Sequence, residues 1–296
     1  MLYINDRSVI VGKHQNTLNE INYQFVKENE IKVVRRLSGG GAVYHDLGNL
    51  NFTFIRRNQN ENLVDFRKHM QPIAGVLKVL GLSVEIANKN DLTIDGKKIS
   101  GNAEHVYKNK VLHHGTLLFS TDLPNLSMAL EADHLKYIDN AVKSIKSEVE
   151  NISVHLKSDI GINQFAGMIM KHIFKNCNDC KNYQLTDKDI KEIQRLVENK
   201  YSSWEWNFGY SPSYIFKNKM NLTNANIEIS IGVEKGLIKD IMLSSDLVTI
   251  KDASIISNAL TGCRHEEQSL LNKLKGLKQV FSSDKIFIED LVNAMF

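Results

Sequence analysis

Cysteine and proline are scarce in this 296-residue chain, with three of each. Cys177, Cys180 and Cys263 make an odd set with no framework of spacings, which excludes a secreted disulfide scaffold. Cys177 and Cys180 have the CxxC spacing of a zinc half-site or redox pair. No second ligand pair of zinc spacing follows, so they read as two incidental thiols of a polar loop. No apolar run approaches the roughly 20 residues that cross a bilayer. Met1 to Asp6 lack the basic stretch and apolar core of a signal peptide. A cytoplasmic chain with no membrane partner is the expectation. An excess of one charge is also missing: 37 Lys and Arg against 34 Asp and Glu leave +3, too mild to make nucleic acid the main partner. There is no internal repeat, no low-complexity tract and no G-x-S-x-G nucleophile elbow.

What is present is an ordinary globular composition, 42% hydrophobic, long enough for one large and one small domain. Ser8 to Gly12 reads as a buried strand. Thr17-Leu18-Asn19-Glu20 has the form of a capping box, predicting a helix to about Asn29. Ile31 to Arg36 and Leu50 to Ile55 read as strands. Asp65 caps a helix to Leu80, stopped by Gly81, with Pro72 predicting a kink or a later start. Leu82 to Ala87, Asp91 to Ile94 and Lys97 to Ser100 are short strands, the last two joined through Asp95-Gly96, a hairpin signal. Lys110 to Ser120 is a further strand. Helices are predicted at Ile162 to Lys175 and Thr186 to Lys200. Ser202 to Pro212, which holds both tryptophans, reads as the end of the large domain and the start of a linker. Beyond it, Asn226 to Gly232 and Gly236 to Ser244 form a hairpin. Helices follow near Ser254 to Leu260, Glu266 to Leu274 and Asp284 to Ala294. The expected architecture is α+β: a mostly antiparallel sheet with helices in residues 1–209, and a small C-terminal α+β domain in residues 218–296.

The densest chemistry lies in Arg35-Arg36-Leu37-Ser38-Gly39-Gly40-Gly41-Ala42-Val43-Tyr44-His45-Asp46-Leu47-Gly48-Asn49. Successive glycines let a ligand approach the backbone and leave N–H groups free to form an anion cradle. The arginines add bidentate reach to phosphate or carboxylate. A glycine-rich hairpin with surface arginines is the competing reading of the glycines alone. Four further clusters carry polar groups: Lys13-His14-Gln15-Asn16 after the first strand; His45 to Asn49; Asn90-Asp91 with Gly96 to Ala103; and His113-His114-Gly115-Thr116. In the third, Lys98 is placed to project a point charge into a cleft, whereas Lys97 fits a solvated hairpin. In the fourth, neighbouring strand residues face opposite sides, so one histidine at most lines a given pocket, and no third ligand clustered in sequence points to zinc.

Together the strings RRLSGGGAVYHDLGNLNFTF, NDLTIDGKKISGNA, HHGTLLF and SSWEWNFG, in this order and spacing from Val9 to Gly209, resemble the lipoate–protein ligases, in the form that carries a C-terminal accessory domain. The resemblance implies a biotin/lipoate-ligase-type fold and two half-reactions: lipoate and ATP give lipoyl-AMP and pyrophosphate with Mg²⁺ assisting, and a lysine of a lipoyl carrier then takes the acyl group. It implies as carriers the lipoyl domains of 2-oxo acid dehydrogenase acyltransferase subunits and the glycine cleavage H protein, and a monomeric enzyme. Carried over by motif, Arg36, Gly41, Ala42, Val43 and Tyr44 bind the nucleotide. Lys98 touches lipoate carboxylate and α-phosphate alike and is the catalytic residue. Ser38, His45, Gly101 and His114 line the lipoate side of the cleft, and Asn49 and Asp91 contact pyrophosphate or metal. The family's pattern has a further strand and helix upstream of Ser8 to Gly12, and by that pattern this chain lacks both. Three other readings are weighed against the ligase. A lipoyl or octanoyl acyltransferase of the same fold needs a cysteine, and Lys98 to Thr116 contains none. Biotin–protein ligases have a differently punctuated glycine signature. A shortened chain that binds lipoyl-AMP or carrier without turnover is the non-catalytic alternative.

Overall fold

The computed structural model describes residues 1–57, 64–175, 181–222, 225–246, 248–277 and 288–296. Cys177 and Cys180 lie outside the described residues, as does the start of the last predicted helix. The chain forms two compact units. The first comprises residues 1–13, 25–130 and 144–195; the second comprises 14–24, 131–143 and 196–296.

The first unit is built on a six-stranded antiparallel sheet in the order β1-β5-β9-β8-β7-β6. These strands are β1 (Leu2–Ile4), β5 (Asn49–Arg57), β6 (Val84–Ala87), β7 (Asp91–Ile94), β8 (Lys97–Tyr107) and β9 (Lys110–Leu118). Alternation sends Leu50 and Phe52 of β5, Leu92 and Ile94 of β7, and Leu117 of β9 into a core shared with two amphipathic helices. These are α2 (Phe66–Val79) and α4 (Ile162–Lys175). Asp65 caps α2 by accepting from the Lys68 N–H at 3.0 Å, and Gly81 follows its end at φ +86°, as the sequence predicts. Pro72 is accommodated inside α2, which runs through it. Asp95 and Gly96 adopt φ of 50° and 79°, the paired positive values of a type I′ hairpin turn. A second, three-stranded sheet has the order β3-β2-β4, with β2 (Ser8–Val11) parallel to β3 (Lys32–Arg35) and antiparallel to β4 (Val43–His45).

The second unit is a four-stranded antiparallel sheet, β10-β11-β12-β13, from Tyr137–Asp139, Tyr214–Leu222, Ala225–Glu234 and Leu237–Ser245. Helices α6 (Ile250–Leu260), α7 (Glu267–Lys275) and α8 (Ile288–Asn293) supply Ile256, Leu260, Leu270, Leu274 and Leu291 to its core. Three expectations change here. The Thr17 to Glu20 capping box does not cap a helix: Thr17 to Asn19 form a single tight turn, the helix α1 spans Tyr23–Glu28, and the buried Thr17 hydroxyl donates to the Asn207 carbonyl at 2.6 Å. Ser202 to Pro212 is no open linker, because Glu205 to Gly209 form a wide helical turn with Trp206 and Asn207 buried. Residues 14–24, 131–143 and 196–209, read as part of the large domain, pack with the C-terminal unit. A short apolar segment such as Tyr137–Asp139 carries too little periodicity to be read as a strand.

Candidate functional site

The glycine loop is organised by Arg36. Its guanidinium donates to the carbonyls of Ile10 (2.8 Å), Gly39 (2.6 Å) and Gly41 (2.7 Å), and its Nε donates to Ser38 Oγ at 3.1 Å. Four of its five donors are thus used by the loop and the strand beside it. Burial, with Arg35 adding repulsion, pushes its pKa down to about 10, so it remains charged at neutral pH. Arg35 is wholly buried and donates to the carbonyls of Gly12 and Lys13 at 2.9 and 3.1 Å. Gly40 sits at φ +89°, a conformation that suits glycine. A Cβ on Gly12 would collide with the Gly40 carbonyl oxygen, so the first strand and the loop approach closely only because residue 12 has no side chain. The Ala42 N–H, expected in a nucleotide cradle, is held by Ser144 Oγ at 2.8 Å.

From Arg36 a chain of hydrogen bonds leads onto the sheet. Ser38 Oγ lies 2.6 Å from His114 Nε2. That oxygen also accepts from Arg36 Nε, so it links the guanidinium to the imidazole. Burial, and then the Arg36 charge, push His114 down to about 4. So weak a base does not activate Ser38 as a nucleophile at neutral pH; the pair positions rather than attacks. His45 is buried, and its Nδ1 accepts from Asn5 Nδ2 at 3.0 Å, which leaves the ring proton on Nε2. That atom has no partner among the described residues. Burial and the charge of Arg36 push His45 down to about 3, so it is a neutral donor whose Nε2–H is unused among the described residues.

Strand pairing sets the rest of the site in one transverse row. Asn51 faces Thr116, Asp91 faces Gly101, and the Gly101 N–H donates to Thr116 Oγ1 at 3.2 Å. Lys98 joins this face through a β-bulge. Leu92 pairs with Ser100 but Thr93 pairs with Lys98, so Ile99 is an extra residue in β8. In a regular strand Lys98 and Gly101, three apart, face opposite ways. The bulge reverses that parity. Ile99 enters the core, and the Lys98 chain folds over Gly101, where a Cβ would stand 3.1 Å from Cε and 3.2 Å from Nζ. The ammonium ends 2.8 Å from Asp91 Oδ1. Segment 148–150 braces the bulge: Lys98 N–H donates to the Glu148 carbonyl at 2.8 Å, and Glu150 N–H to the Lys98 carbonyl at 3.0 Å. Asn49 is buried, with its Oδ1 unpartnered among the described residues and its Nδ2 donating to Asn51 Oδ1 at 3.1 Å.

The structure therefore brings Arg36, Ser38 and His114 together, and Lys98, Gly101 and Asp91 together, on elements of one unit. Lys13 to Asn16 divides between the two units, and Asn16 donates to Asp139 at 3.0 Å within the second. Sequence reading missed Ser144 and Asn51, and placed Thr116 in the histidine cluster without a role. Ser144 lies 102 residues from its loop partner, and only the register reveals the row that contains the other two. Lys97, read as a solvated hairpin residue, is 2.8 Å from Glu150.

Residues 1–174 match the family described as the lipoyl protein ligase A/B catalytic domain, and residues 211–295 match the bacterial lipoate protein ligase C-terminus. The lipoate-protein ligase LplJ of Bacillus subtilis is 38% identical over 299 residues, covering 100% of this chain and 90% of its own. Among solved structures, a lipoate-protein ligase A bound with ATP is 30% identical with a TM-score of 0.60, covering 71% of this chain and 85% of that one. A bi-partite lipoate protein ligase of Thermoplasma acidophilum, analysed with its E2 lipoyl domain, is also 30% identical with a TM-score of 0.60, over 71% and 83%. With both parts of the chain matched and a full-length relative at this identity, the chain belongs to the lipoate–protein ligase family.

Proposed function

We propose that this ligase works in two steps, activating lipoate with ATP to lipoyl-AMP and then passing the lipoyl group to a lysine of a carrier domain. The observation that carries the reading is the Lys98 ammonium, bulged onto the Gly101 face of the sheet and held 2.8 Å from Asp91. Adenylation joins two anions, a carboxylate and a phosphate, and a fixed positive charge between them lowers their repulsion and holds them in line. Lys98 supplies that charge. In the second step the same ammonium polarises the acyl carbonyl as the carrier amine attacks and AMP leaves. The His45 Nε2–H and the Ser38–His114 pair offer neutral hydrogen bonds to the acyl group. The glycine loop from Gly41 to Tyr44, shaped by Arg36, takes the nucleotide once Ser144 yields the Ala42 N–H.

Mg²⁺ would supply charge neutralisation at the phosphates. Asn49 Oδ1, buried and unpartnered among the described residues, is the hard oxygen donor such an ion takes. Asp91 lies against an ammonium and is better suited to orient Lys98 than to hold a cation. The only cysteine among the described residues is Cys263, in the second unit, which favours a ligase over a thiol-dependent acyltransferase. Lipoyl domains of 2-oxo acid dehydrogenase acyltransferase subunits and the glycine cleavage H protein are the acceptors in this reading, and the enzyme is a cytoplasmic monomer. No helix among the described residues is long and apolar enough to cross a membrane.

The test is intact-mass spectrometry of a lipoyl domain incubated with the chain, lipoate, ATP and Mg²⁺. A lipoyl increment that requires ATP and vanishes with Lys98→Ala is expected. An increment without ATP, or full turnover by a folded Lys98→Ala, overturns the proposal.

A further inference from the structure

On the opposite face of the same sheet, His69 of α2, Glu104 of β8 and His113 of β9 converge. His69 Nδ1 and His113 Nδ1 lie 2.8 and 2.9 Å from the same carboxylate oxygen, Glu104 Oε1. The three side chains are 6%, 2% and 0% exposed, and Glu104 stands directly across from His113 in the strand register. We propose that these three residues form a binding site for a divalent transition cation of the zinc class.

The proton count argues for a cation. Asn102 Nδ2 donates to the Asn90 carbonyl at 3.0 Å and to Ser100 Oγ at 3.2 Å, which fixes its amide so that Oδ1 faces His113 Nε2 at 3.2 Å. Both nitrogens of His113 therefore face acceptors. A neutral imidazole has one N–H and can serve only one of them. With that proton on Nε2, the Nδ1 lone pair points at a carboxylate oxygen. A cation between them resolves the conflict, because it takes lone pairs from both imidazoles and from Glu104 Oε1 at once.

The surroundings are those a metal site requires. Ligating histidines donate their second N–H to an acceptor, and ligating carboxylates are themselves hydrogen-bonded. Here Asn102 Oδ1 accepts from His113, and the Asp65 N–H donates to Glu104 Oε2 at 3.2 Å. Two imidazoles and one carboxylate select zinc-like ions over Mg²⁺ or Ca²⁺. Bonds of 2.0–2.2 Å in tetrahedral geometry put ligand atoms roughly 3.3 Å apart, so each contact opens by about half an ångström and leaves a fourth position for water. Phe52 and Phe66, each with its ring centre 5.9 Å from that of His113, keep the site dry. The ion would tie α2 to β8 and β9, on the face away from Lys98.

The experiment uses the full chain carrying Cys177→Ser and Cys180→Ser, so that no thiol pair competes. After chelator treatment, Zn²⁺ and Co²⁺ are titrated separately. Metal content by mass spectrometry, the visible absorption of tetrahedral cobalt and the thermal midpoint are read. One Zn²⁺ per chain, a cobalt band and a raised midpoint are expected, with affinity weakened more than about tenfold in Glu104→Gln and in His69→Gln. Absence of stoichiometric binding overturns the proposal, as does binding that neither variant alters. None of these readouts depends on lipoate or ATP, so they stand apart from the proposed reaction.

Discussion

Replacing Gly101 by alanine separates the position of the Lys98 charge from its presence. The new Cβ would stand 3.1 Å from Lys98 Cε and 3.2 Å from Nζ, against ordinary carbon contacts of about 3.5–4.0 Å. The far end of the lysine therefore moves by roughly half an ångström. At an effective dielectric of 20, lengthening a unit-charge contact from 2.8 Å to about 3.3 Å loses about 1 kcal/mol. Misplacement of reacting groups by 1 Å costs about a hundredfold in rate, so half that shift costs about tenfold. Both routes predict adenylation slowed by roughly five- to tenfold. The backbone at Gly101 lies outside the left-handed region, and alanine there reduces the freedom of the unfolded chain. That gain of about 0.4–1 kcal/mol offsets the weakened Lys98–Asp91 contact, so stability should change by no more than about 0.5 kcal/mol. Lipoate-dependent exchange of pyrophosphate into ATP reads the rate, and thermal melting reads the stability. An unchanged exchange rate refutes the reasoning, and so does a loss of activity matched by a loss of stability.

Three further outcomes follow from the geometry. Arg36→Lys keeps the charge but cannot serve four acceptors set for a planar fork; ATP affinity should fall at least about tenfold, with stability down by about 2–3 kcal/mol, read by calorimetry and melting. Gly48→Ala drives a Cβ into the Ser120 carbonyl and should cost about 1–3 kcal/mol as an overpacked site, checked by chemical denaturation. His265 accepts from the Tyr214 hydroxyl at 2.7 Å and donates to the Met295 carbonyl at 2.8 Å, and burial pushes it down to about 4. The unfolded chain then binds the extra proton first. The stability of the second unit should be full above pH 6.5 and fall by about 1.4 kcal/mol per pH unit between 6.5 and 4. Denaturation followed by the fluorescence of Trp204 and Trp206, both in that unit, checks this, and His265→Phe should flatten the dependence.

The longer elements of the first unit were legible because period and punctuation agree: Asp65 and Gly81 bracket α2, and Asp95-Gly96 marks its turn whatever surrounds it. Lys98 was singled out by its motif and expected to project into a cleft, yet strand alternation alone would turn it away from Gly101; a bulge at Ile99 reverses the alternation on which strand reading depends. Arg36 looked like an open fork for phosphate and proves to be the brace of its own loop, a distinction that rests on carbonyls distant in sequence or invisible in it. Thr17 shows the same limit in reverse: a sound local signal gives way to the Asn207 carbonyl 190 residues on. The His69–Glu104–His113 cluster was not legible at all, because its three members come from three elements with no shared motif.

The second unit takes its edge strand β10 and the buried Leu18 from the first half of the chain. On a ribosome, that unit cannot close when its own helices emerge unless residues 14–24 and 131–143, made earlier, have been kept available for it. Nor can the gene be cut before residue 211 to yield two self-sufficient products. The downstream product would present the bare flank of β11, and the upstream one would carry Leu18 and Tyr137 with no core to enter. Dividing this ligase into separate polypeptides therefore requires new sequence at both ends of the cut.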